Sequence, residues 1–241
     1  SEGIPSHDTI GRVLAKLDPT ALEGLFAKWM RGVAEATKND VVAIDGKVLR
    51  RAFDRAGGNN FITMVSAWST VNGVVLGQVA NEDGSNEITA IPELLRLLHL
   101  RGCLVTIDAA GCQTEIAAQI VEAGGDYLLA VRDNQPKLHE SIRQSFEREI
   151  RKKKPTRLEH ATTIDSGHGR KEKRDCWVLS ATESLEDARW KDLGKIVRVD
   201  SERIVGDEVK VATRLFITSR KSMTATQALT AIRGHWQIEN Q

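Results

Sequence analysis

Three acidic residues lie where metal-dependent chemistry would need them. Asp45 follows the apolar run 41–44, whose β-branched composition is typical of a buried strand, and Asp108 follows a second such run at 103–107. Glu239 lies in the last segment with helical periodicity. Carboxylates are the ligands that Mg²⁺ and Mn²⁺ prefer, and two such ions about 3.5–4 Å apart can stabilise the attacking and leaving oxygens of phosphodiester chemistry. The three acids therefore predict a site for two Mg²⁺ or Mn²⁺ ions.

Each acid also has a plainer interpretation. An Asp after a strand often only begins a turn, which applies to Asp45, and Asp108 is placed to cap the helix that follows it. Glu239 could lie on a solvated helix face. His235, one helical turn earlier, leaves three alternatives open: contact with phosphate, contact with Glu239, or packing beside Trp236. The order of the three acids along the chain favours the metal site.

The elements that must position these acids follow from hydrophobic periodicity. Strands and helices are expected in the order βββαβαβ, at residues 41–44, 61–69, 73–80, 85–99, 103–107, around 116–123 and at 127–131. Asn72-Gly73 predicts a tight hairpin, and residues 52–60 a loop. This order matches a ribonuclease-H-like α/β core, a mixed five-stranded sheet with flanking helices. In that arrangement the strands ending in Asp45 and Asp108 are parallel neighbours.

The flanking segments extend this core. A charged helix is expected at 135–153, a β-rich insertion at about 156–218, and a final helix from Thr224. Residues 1–40 predict two short helices, with Ser6 or Asp8 able to cap the first and Asp18-Pro19 beginning the second. We interpret them as a helical region packing on a domain at 41–241. A helix–turn–helix DNA reader is the alternative.

Composition limits the class of protein. The 241 residues are 41% hydrophobic and 28% charged, and no apolar run reaches the roughly 18 residues of a membrane span. The N-terminus lacks the basic and apolar regions of a secretory signal. The three cysteines, Cys103, Cys112 and Cys176, form no C-x-x-C pair, which argues against disulfides and a zinc module. A reducing, cytoplasmic location is therefore expected.

The distribution of charge is more informative than its sum. The net charge is +1, but Arg132 to Arg174 holds 13 Lys and Arg against 7 Asp and Glu, a local charge of +6. Such a segment indicates either a phosphate-binding face or a solvated helix face. An unrelated α/β hydrolase is disfavoured because the sequence contains neither a Gly-x-Ser-x-Gly elbow nor a Walker loop.

Four sequence runs resemble one protein family. They lie at residues 3–9, 43–47, 106–113 and 233–240, and the most specific are Ile-Asp-x-x-Gly-Cys-Gln at 107–113 and Arg-Gly-His-Trp-x-Ile-Glu-Asn at 233–240. In this order they resemble bacterial insertion-sequence transposases of the DDE class, in the branch that includes the H-repeat-associated proteins. The resemblance covers nearly the whole chain.

The resemblance implies a function and a set of site residues. The expected activity is metal-dependent cleavage of transposon-end DNA followed by strand transfer to target DNA. Asp45, Asp108 and Glu239 are the implied catalytic and metal-binding triad. The expected partner is double-stranded DNA, both transposon ends and target, with no membrane, and monomer and homodimer are both left open. The expected DNA-binding residues are Arg132, Asn134, Gln135, Lys137, His168, Arg170, Lys171, Lys173, Arg174, Arg233 and His235.

Two departures from the family pattern leave alternatives. Asp133 stands where the family has Gly and adds negative charge beside the expected DNA path. The chain stops at Gln241, whereas the family continues with a Leu-His-Trp stretch. One alternative is therefore a truncated or domesticated, catalytically impaired transposase that acts as a DNA- or protein-binding module. Another is a ribonuclease-H-like nuclease that cleaves without strand transfer.

Overall fold

A computed structural model describes residues 5–36, 40–49, 62–81, 87–152, 158–167, 170–181, 189–206 and 208–239. The chain divides into two compact units, Ser1–Thr37 and Lys38–Gln241. The loop expected at 52–60 and the expected site residue His168 lie outside the described residues. No helix in the described ranges combines the length and the apolar composition that crossing a membrane requires.

The first unit contains the two expected helices, α1 (His7–Leu14) and α2 (Pro19–Ala36). Of the two candidate caps, Ser6 caps α1, because its hydroxyl accepts the backbone N–H of Thr9 at 3.3 Å. The Asp18 carboxylate accepts the N–H of Thr20 at 3.0 Å, and α2 begins at the proline after it. These caps satisfy backbone donors that a helix start would otherwise leave open.

The second unit contains one mixed sheet and four helices within the described residues. The strands are β1 (Val41–Leu49), β2 (Ile62–Ser69), β3 (Val74–Asn81), β4 (Leu104–Ile107), β5 (Asp126–Val131), β6 (Glu159–Gly167), β7 (Arg170–Ser180), β8 (Lys195–Val205) and β9 (Glu208–Thr218). The helices are α3 (Glu87–Leu97), α4 (Thr114–Glu122), α5 (Pro136–Ile150) and α6 (Ala225–Glu239). The strand order across the sheet is β3-β2-β1-β4-β5-β9-β8-β7-β6.

The first five strands have the expected pairing. β2 pairs antiparallel with both β1 and β3, and the turn between β2 and β3 contains Gly73 at φ +64°, a value that glycine adopts without strain. β4 pairs parallel with β1 on one side and with β5 on the other. The prediction that the strands carrying Asp45 and Asp108 are parallel neighbours is confirmed. The strand does not end at Asp45, however: β1 continues to Leu49, and Asp45 pairs with Ser66 of β2, so the interpretation of Asp45 as the start of a turn is wrong.

The expected five-stranded sheet is wrong in size, since the sheet has nine strands. β9 pairs antiparallel with β5, from Leu128 opposite Thr218 to Val131 opposite Leu215. A five-stranded core would leave the backbone groups on that edge of β5 unpaired, and β9 satisfies them. The β-rich insertion therefore continues the core sheet through β9, β8, β7 and β6.

The two faces of the sheet are covered by different helices. One face packs Val42, Ile44, Val105 and Ile107 against apolar residues of α3, α4 and α5, including Ile91, Leu94, Ile116, Ile120, Ile142 and Phe146. The other face packs Leu104, Leu128 and strands of the insertion against Ala228, Leu229 and Ile232 of α6. Because side chains alternate along a strand, Ala43 and Thr106 belong to the α6 face.

Candidate active site

Asp45 and Asp108 occupy matching positions on neighbouring strands. Ile44 of β1 and Ile107 of β4 are direct partners in the parallel ladder, and each acid is the next residue in its chain. Parallel strands lie about 4.8 Å apart, so the two acids are adjacent, Asp45 inside β1 and Asp108 directly after β4. The hydrophobic periodicity predicted the two strands, and the order of elements predicted that they pair.

A tight turn fixes the carboxylate of Asp108. Its Oδ1 accepts the backbone N–H groups of Ala110 at 3.1 Å and Gly111 at 3.4 Å. Asp108 therefore caps this turn and not α4, whose N-cap residue is Gln113. The turn can be this tight because Gly111 has no side chain: a Cβ there would lie 2.4 Å from Ile107 Cγ2. The helix-cap interpretation of Asp108 is wrong.

Cys112 closes the turn from the buried side. Its thiol has no solvent exposure, and burial, followed by the nearby charge of Asp108, raises its pKa to about 12. A thiol must lose its proton to bind a metal ion. Cys112 is thus a neutral, buried packing residue in this structure.

Helix α6 packs against the sheet face that carries Thr106, and Glu239 is its last residue. The Oγ1 of Thr106 and the Nδ1 of His235 are 3.1 Å apart in a buried hydrogen bond. Thr106 lies two residues before Asp108, and His235 lies one helical turn, about 6 Å, before Glu239. The bond therefore joins the strand of Asp108 to the helix of Glu239. The described residues include the backbone of Glu239 but not its side chain.

A cleft with a volume of about 810 Å³ opens beside Asp108. One side, which we call the acid wall, consists of Thr106, Asp108, Ala130 and Arg132 at the ends of β4 and β5. Another side, the basic wall, consists of Arg174 on β7, Arg203 on β8, and Lys210 and Arg214 on β9. Ile232, His235 and Trp236 of α6 also line the cleft, as do the acids Asp133 and Glu172. The cleft therefore brings the four cations of the basic wall into the same cavity as a carboxylate that the sequence marks as a metal ligand.

Arg174 holds the basic wall against α6. It is buried and forms ion pairs of 2.7 Å with Asp165 and 2.8 Å with Glu172. Its guanidinium carbon lies 5.0 Å from the ring centre of Trp236, and that of Arg214 lies 4.6 Å from the same ring. Such stacked cations are attracted by the negative face of the indole. Arg174, for which the sequence predicts phosphate contact, is thus held inside the basic wall by two acids and Trp236.

The other expected DNA-binding residues divide by position. Arg132 is exposed in the cleft, and Arg233 is exposed but pairs with Asp165 at 2.9 Å. Lys137 is exposed at the start of α5. Lys171 and Lys173 alternate out of phase with Arg174, so they lie on the sheet face away from α6. For Arg170 the structure describes only the backbone.

Asn134 and Gln135 contact protein. The side-chain amide of Asn134 donates to the carbonyl of Ala109 at 2.6 Å, and that of Gln135 donates to the carbonyl of Cys112 at 3.1 Å. Both acceptors belong to the turn that follows Asp108. The sequence predicts DNA contact for these two residues, and it did not predict these hydrogen bonds to the protein backbone.

Sequence reasoning missed three residues of the basic wall, Arg203, Lys210 and Arg214. Arg203 and Lys210 are direct partners across β8 and β9, although seven positions separate them in the chain. A signal was present: Val197 and Val199 are buried against α6, and period two from them reaches Ser201 and Arg203. Recognising it required the strand pairing, since alternation alone does not say which face meets the acids.

The acids were expected to form a metal site. Among the described residues, no three His, Cys, Asp or Glu side chains converge on a point where a metal ion would fit. That set contains the side chains of Asp45 and Asp108 but not that of Glu239. The two described acids provide hard oxygen donors on adjacent parallel strands.

Comparison with known proteins agrees with this geometry. The family described as "Transposase DDE domain" matches residues 36–241. "Putative transposase YncI" of Escherichia coli O157:H7 is 44% identical over 243 residues, covering 99% of this chain and 62% of that protein. "H repeat-associated putative transposase YhhI" of Escherichia coli K12 is 39% identical over 246 residues, covering 99% of this chain and 64% of that protein. The resemblance to the H-repeat-associated branch is confirmed.

The chain spans less than two thirds of the length of these relatives. Among solved structures, a sugar N-methyltransferase from Streptoalloteichus matches at 15% identity over 55% of this chain and 46% of that chain, and its TM-score of 0.21 supports no inference. The sequence relatives and the family match are decisive: the chain belongs to the transposase DDE domain family.

Proposed function

We propose that this chain contains the catalytic domain of a DNA transposase that cleaves transposon ends and transfers the freed strand to target DNA. One observation carries the proposal. Asp45 and Asp108 directly follow paired residues of the adjacent parallel strands β1 and β4, on the sheet face that packs against α6, the helix that carries Glu239. Family membership supplies the expected chemistry for such a triad, and the cleft beside Asp108 is large enough for a phosphodiester backbone.

The donor set fits divalent metal ions. Asp45, Asp108 and Glu239 would hold them through carboxylate oxygens, the ligands that hard cations prefer. Oδ1 of Asp108 is oriented by two backbone N–H groups, which leaves its second oxygen to face a ligand. When bound, two Mg²⁺ or Mn²⁺ ions would activate the attacking oxygen and stabilise charge on the leaving oxygen.

The chain's own residues orient the DNA. Arg203 and Lys210 are exposed on the basic wall, and Arg132 is exposed across the cleft. Cations at these points attract phosphates without reading sequence, so they fix the strand's path past Asp108. Arg174, already paired with Asp165 and Glu172, holds the wall in position. Lys171 and Lys173 would meet DNA only outside the cleft.

The remaining assignments follow from this function. We assign residues 1–40 to an N-terminal helical region and residues 41–241 to the catalytic domain, with the β-rich insertion at about 156–218 forming the basic wall. The buried, unpaired Cys103, Cys112 and Cys176 support a reducing compartment such as the cytoplasm. Double-stranded DNA is the proposed partner, and a homodimer would bring two ends together.

The substitution Asp45→Ala tests the function. Mn²⁺-dependent nicking of a plasmid carrying the transposon end should fall by well over the roughly 10–100-fold typical of changes around metal ligands. The exposed acid Glu122 at the end of α4 provides the control, and Glu122→Ala should nick normally. Joining of a 3′-hydroxyl oligonucleotide to plasmid then separates strand transfer from cleavage alone. Nicking that survives Asp45→Ala would refute the triad.

A further inference from the structure

The loop after β5 is tied to the turn that carries Asp108. Asn134 bonds the carbonyl of Ala109, the first residue after the acid, at 2.6 Å. Gln135 bonds the carbonyl of Cys112, the last residue of the turn, at 3.1 Å. The two amides thus hold the turn at both ends, and neither bond involves a charged group.

The turn between these two contacts has little freedom of its own. The N–H of Cys112 donates to the carbonyl of Ala109 at 3.2 Å, and Gln113 donates through its side chain to Ala110 at 3.3 Å. Gly111 packs against Ile107 too closely for a Cβ. Its outward side, however, has no such packing: Ala109 and Ala110 are partly exposed. Asn134 and Gln135 supply the restraint on that side.

This restraint acts on the carboxylate of Asp108. Asp108 is fixed through Oδ1 by N–H groups of the same turn, so a shift of the turn moves the carboxylate with it. Ligand oxygens lie about 2.0–2.6 Å from divalent ions, and a site must be held within about 0.5 Å to keep that geometry. Groups that orient ligands contribute roughly 10–100-fold in metal affinity.

We propose that Asn134 and Gln135 are positioning residues for Asp108, and that their amides set the metal affinity of the site while DNA affinity rests on the cations of the cleft. The proposal depends on the proposed function, because it needs Asp108 to be a metal ligand. It assigns to both residues a role different from the DNA contact expected from the sequence.

The experiment measures Mn²⁺ binding directly by titration calorimetry, without DNA. Asn134→Ala and Gln135→Ala should each weaken Mn²⁺ binding about tenfold, within the range for groups that orient ligands. DNA affinity, measured without metal across a salt series, should change less than about twofold with an unchanged salt slope. Both variants should fold, because Asn134 is exposed and Gln135 is half-buried.

Gln119 provides a matched control. Its side-chain amide donates to the backbone carbonyl of Pro92 at 2.8 Å, the same kind of bond between α4 and α3, away from the cleft. Gln119→Ala should lose similar stability and keep wild-type Mn²⁺ binding. Arg203→Ala provides the reverse control, since removing that exposed cation of the cleft should lower DNA affinity and leave Mn²⁺ binding unchanged.

The outcomes separate the two proposals. If wild type and Asp108→Asn bind Mn²⁺ equally, the proposed function fails. If Asp108→Asn loses Mn²⁺ while Asn134→Ala and Gln135→Ala retain it, only the positioning role fails. Loss of DNA affinity in those two variants with intact Mn²⁺ binding would return them to DNA contact. Failure of the exposed Asn134→Ala variant to fold would mark a general structural bond and equally overturn the proposal.

Discussion

The two walls of the cleft are held in place by different forces. The acid wall is built from main chain: a parallel ladder between β1 and β4, and a turn fixed by N–H groups and by Gly111. The basic wall is held by side-chain charges: Arg174 pairs with Asp165 and Glu172 and stacks on Trp236. Backbone bonds respond little to salt or mild pH change, whereas ion pairs respond to both. The walls should therefore fail under different perturbations.

The largest expected effect comes from removing the cation that holds the basic wall. Arg174→Ala leaves Glu172 and Asp165 without this partner and removes one stacked cation from Trp236. Uncompensated buried charge costs about 3–5 kcal/mol. Asp165 keeps its ion pair with Arg233 and both acids are partly exposed, so the loss should lie near the lower value. Urea unfolding of wild type and variant measures it.

The matched control is Arg198, on the opposite face of the same sheet. It pairs with Asp200 at 2.8 Å and stacks 5.7 Å from the Trp177 ring centre, but about a quarter of its side chain is exposed. Arg198→Ala should therefore cost only about 1 kcal/mol. Equal losses at Arg174 and Arg198 would mean that the basic wall is not specially dependent on its buried charge.

The acid wall should be sensitive to added side-chain volume in the turn after Asp108. In Gly111→Ala the new Cβ would meet Ile107 Cγ2 at 2.4 Å and Ile91 Cδ1 at 3.1 Å, and a β-branched side chain in a packed core yields little. Overpacking of this kind costs about 1–3 kcal/mol, and the displaced turn should also weaken Mn²⁺ binding. Unfolding and calorimetry measure the two effects.

A second glycine provides the control, because an alanine there would meet no neighbouring atom. Gly11 in α1 has no atom within 4 Å of an added Cβ, so Gly11→Ala should cost nothing and can stabilise α1 by up to about 1 kcal/mol. A Gly111→Ala variant as stable as wild type would show that the turn can move, and would weaken the view of the acid wall as rigid main chain.

The exposed cations of the basic wall should affect DNA and not stability. The double variant Arg203→Ala/Lys210→Ala removes two cations that we propose contact phosphates. The salt slope of DNA binding should therefore fall by about 2 and the affinity by roughly tenfold. Fluorescence anisotropy over a salt series measures both. Lys171, on the opposite face, gives the contrast. An equal loss with Lys171→Ala would place the DNA path outside the cleft.

How well the sequence predicted each wall follows from the same difference. Asp45 and Asp108 end apolar runs whose period is local, so their strands were recognisable, and the parallel pairing followed from the element order. The basic wall depends on which strands pair, and Arg203 meets Lys210 only through the β8–β9 register. The sheet was predicted with five strands because no local pattern shows that β9 pairs with β5.

The bonds of Asn134 and Gln135 were beyond sequence reasoning for a related cause. Their amides can donate equally well to a phosphate oxygen or to a backbone carbonyl, and only the folded turn supplies the carbonyls of Ala109 and Cys112. Arg174 shows the same limit. Its position in a basic segment predicts phosphate contact, and only the structure shows that it is buried beside Asp165 and Glu172.

Low pH should loosen the basic wall slightly. Desolvation alone would raise the pKa of Asp165, but hydrogen bonds from Arg174 and Arg233 outweigh it and lower the pKa below its usual value. A depressed pKa adds stability above the unfolded value of about 3.9, and that stability is lost as pH falls through the folded value. The effect is small because water screens Asp165, whose side chain is 34% exposed.

Hydrogen exchange can follow this loosening strand by strand. Between pH 5 and 3, β6 and β7 around Asp165 should lose protection relative to α4, after correction for the intrinsic exchange rate. The Asp165→Asn variant removes this carboxyl while Glu172 and Asp175 of β7 remain, so its β6–β7 protection should fall less than that of the wild type in this window. Equal loss of protection at β4 and at β6–β7 in the wild type would show that both walls depend on charge, contrary to the main-chain origin of the acid wall.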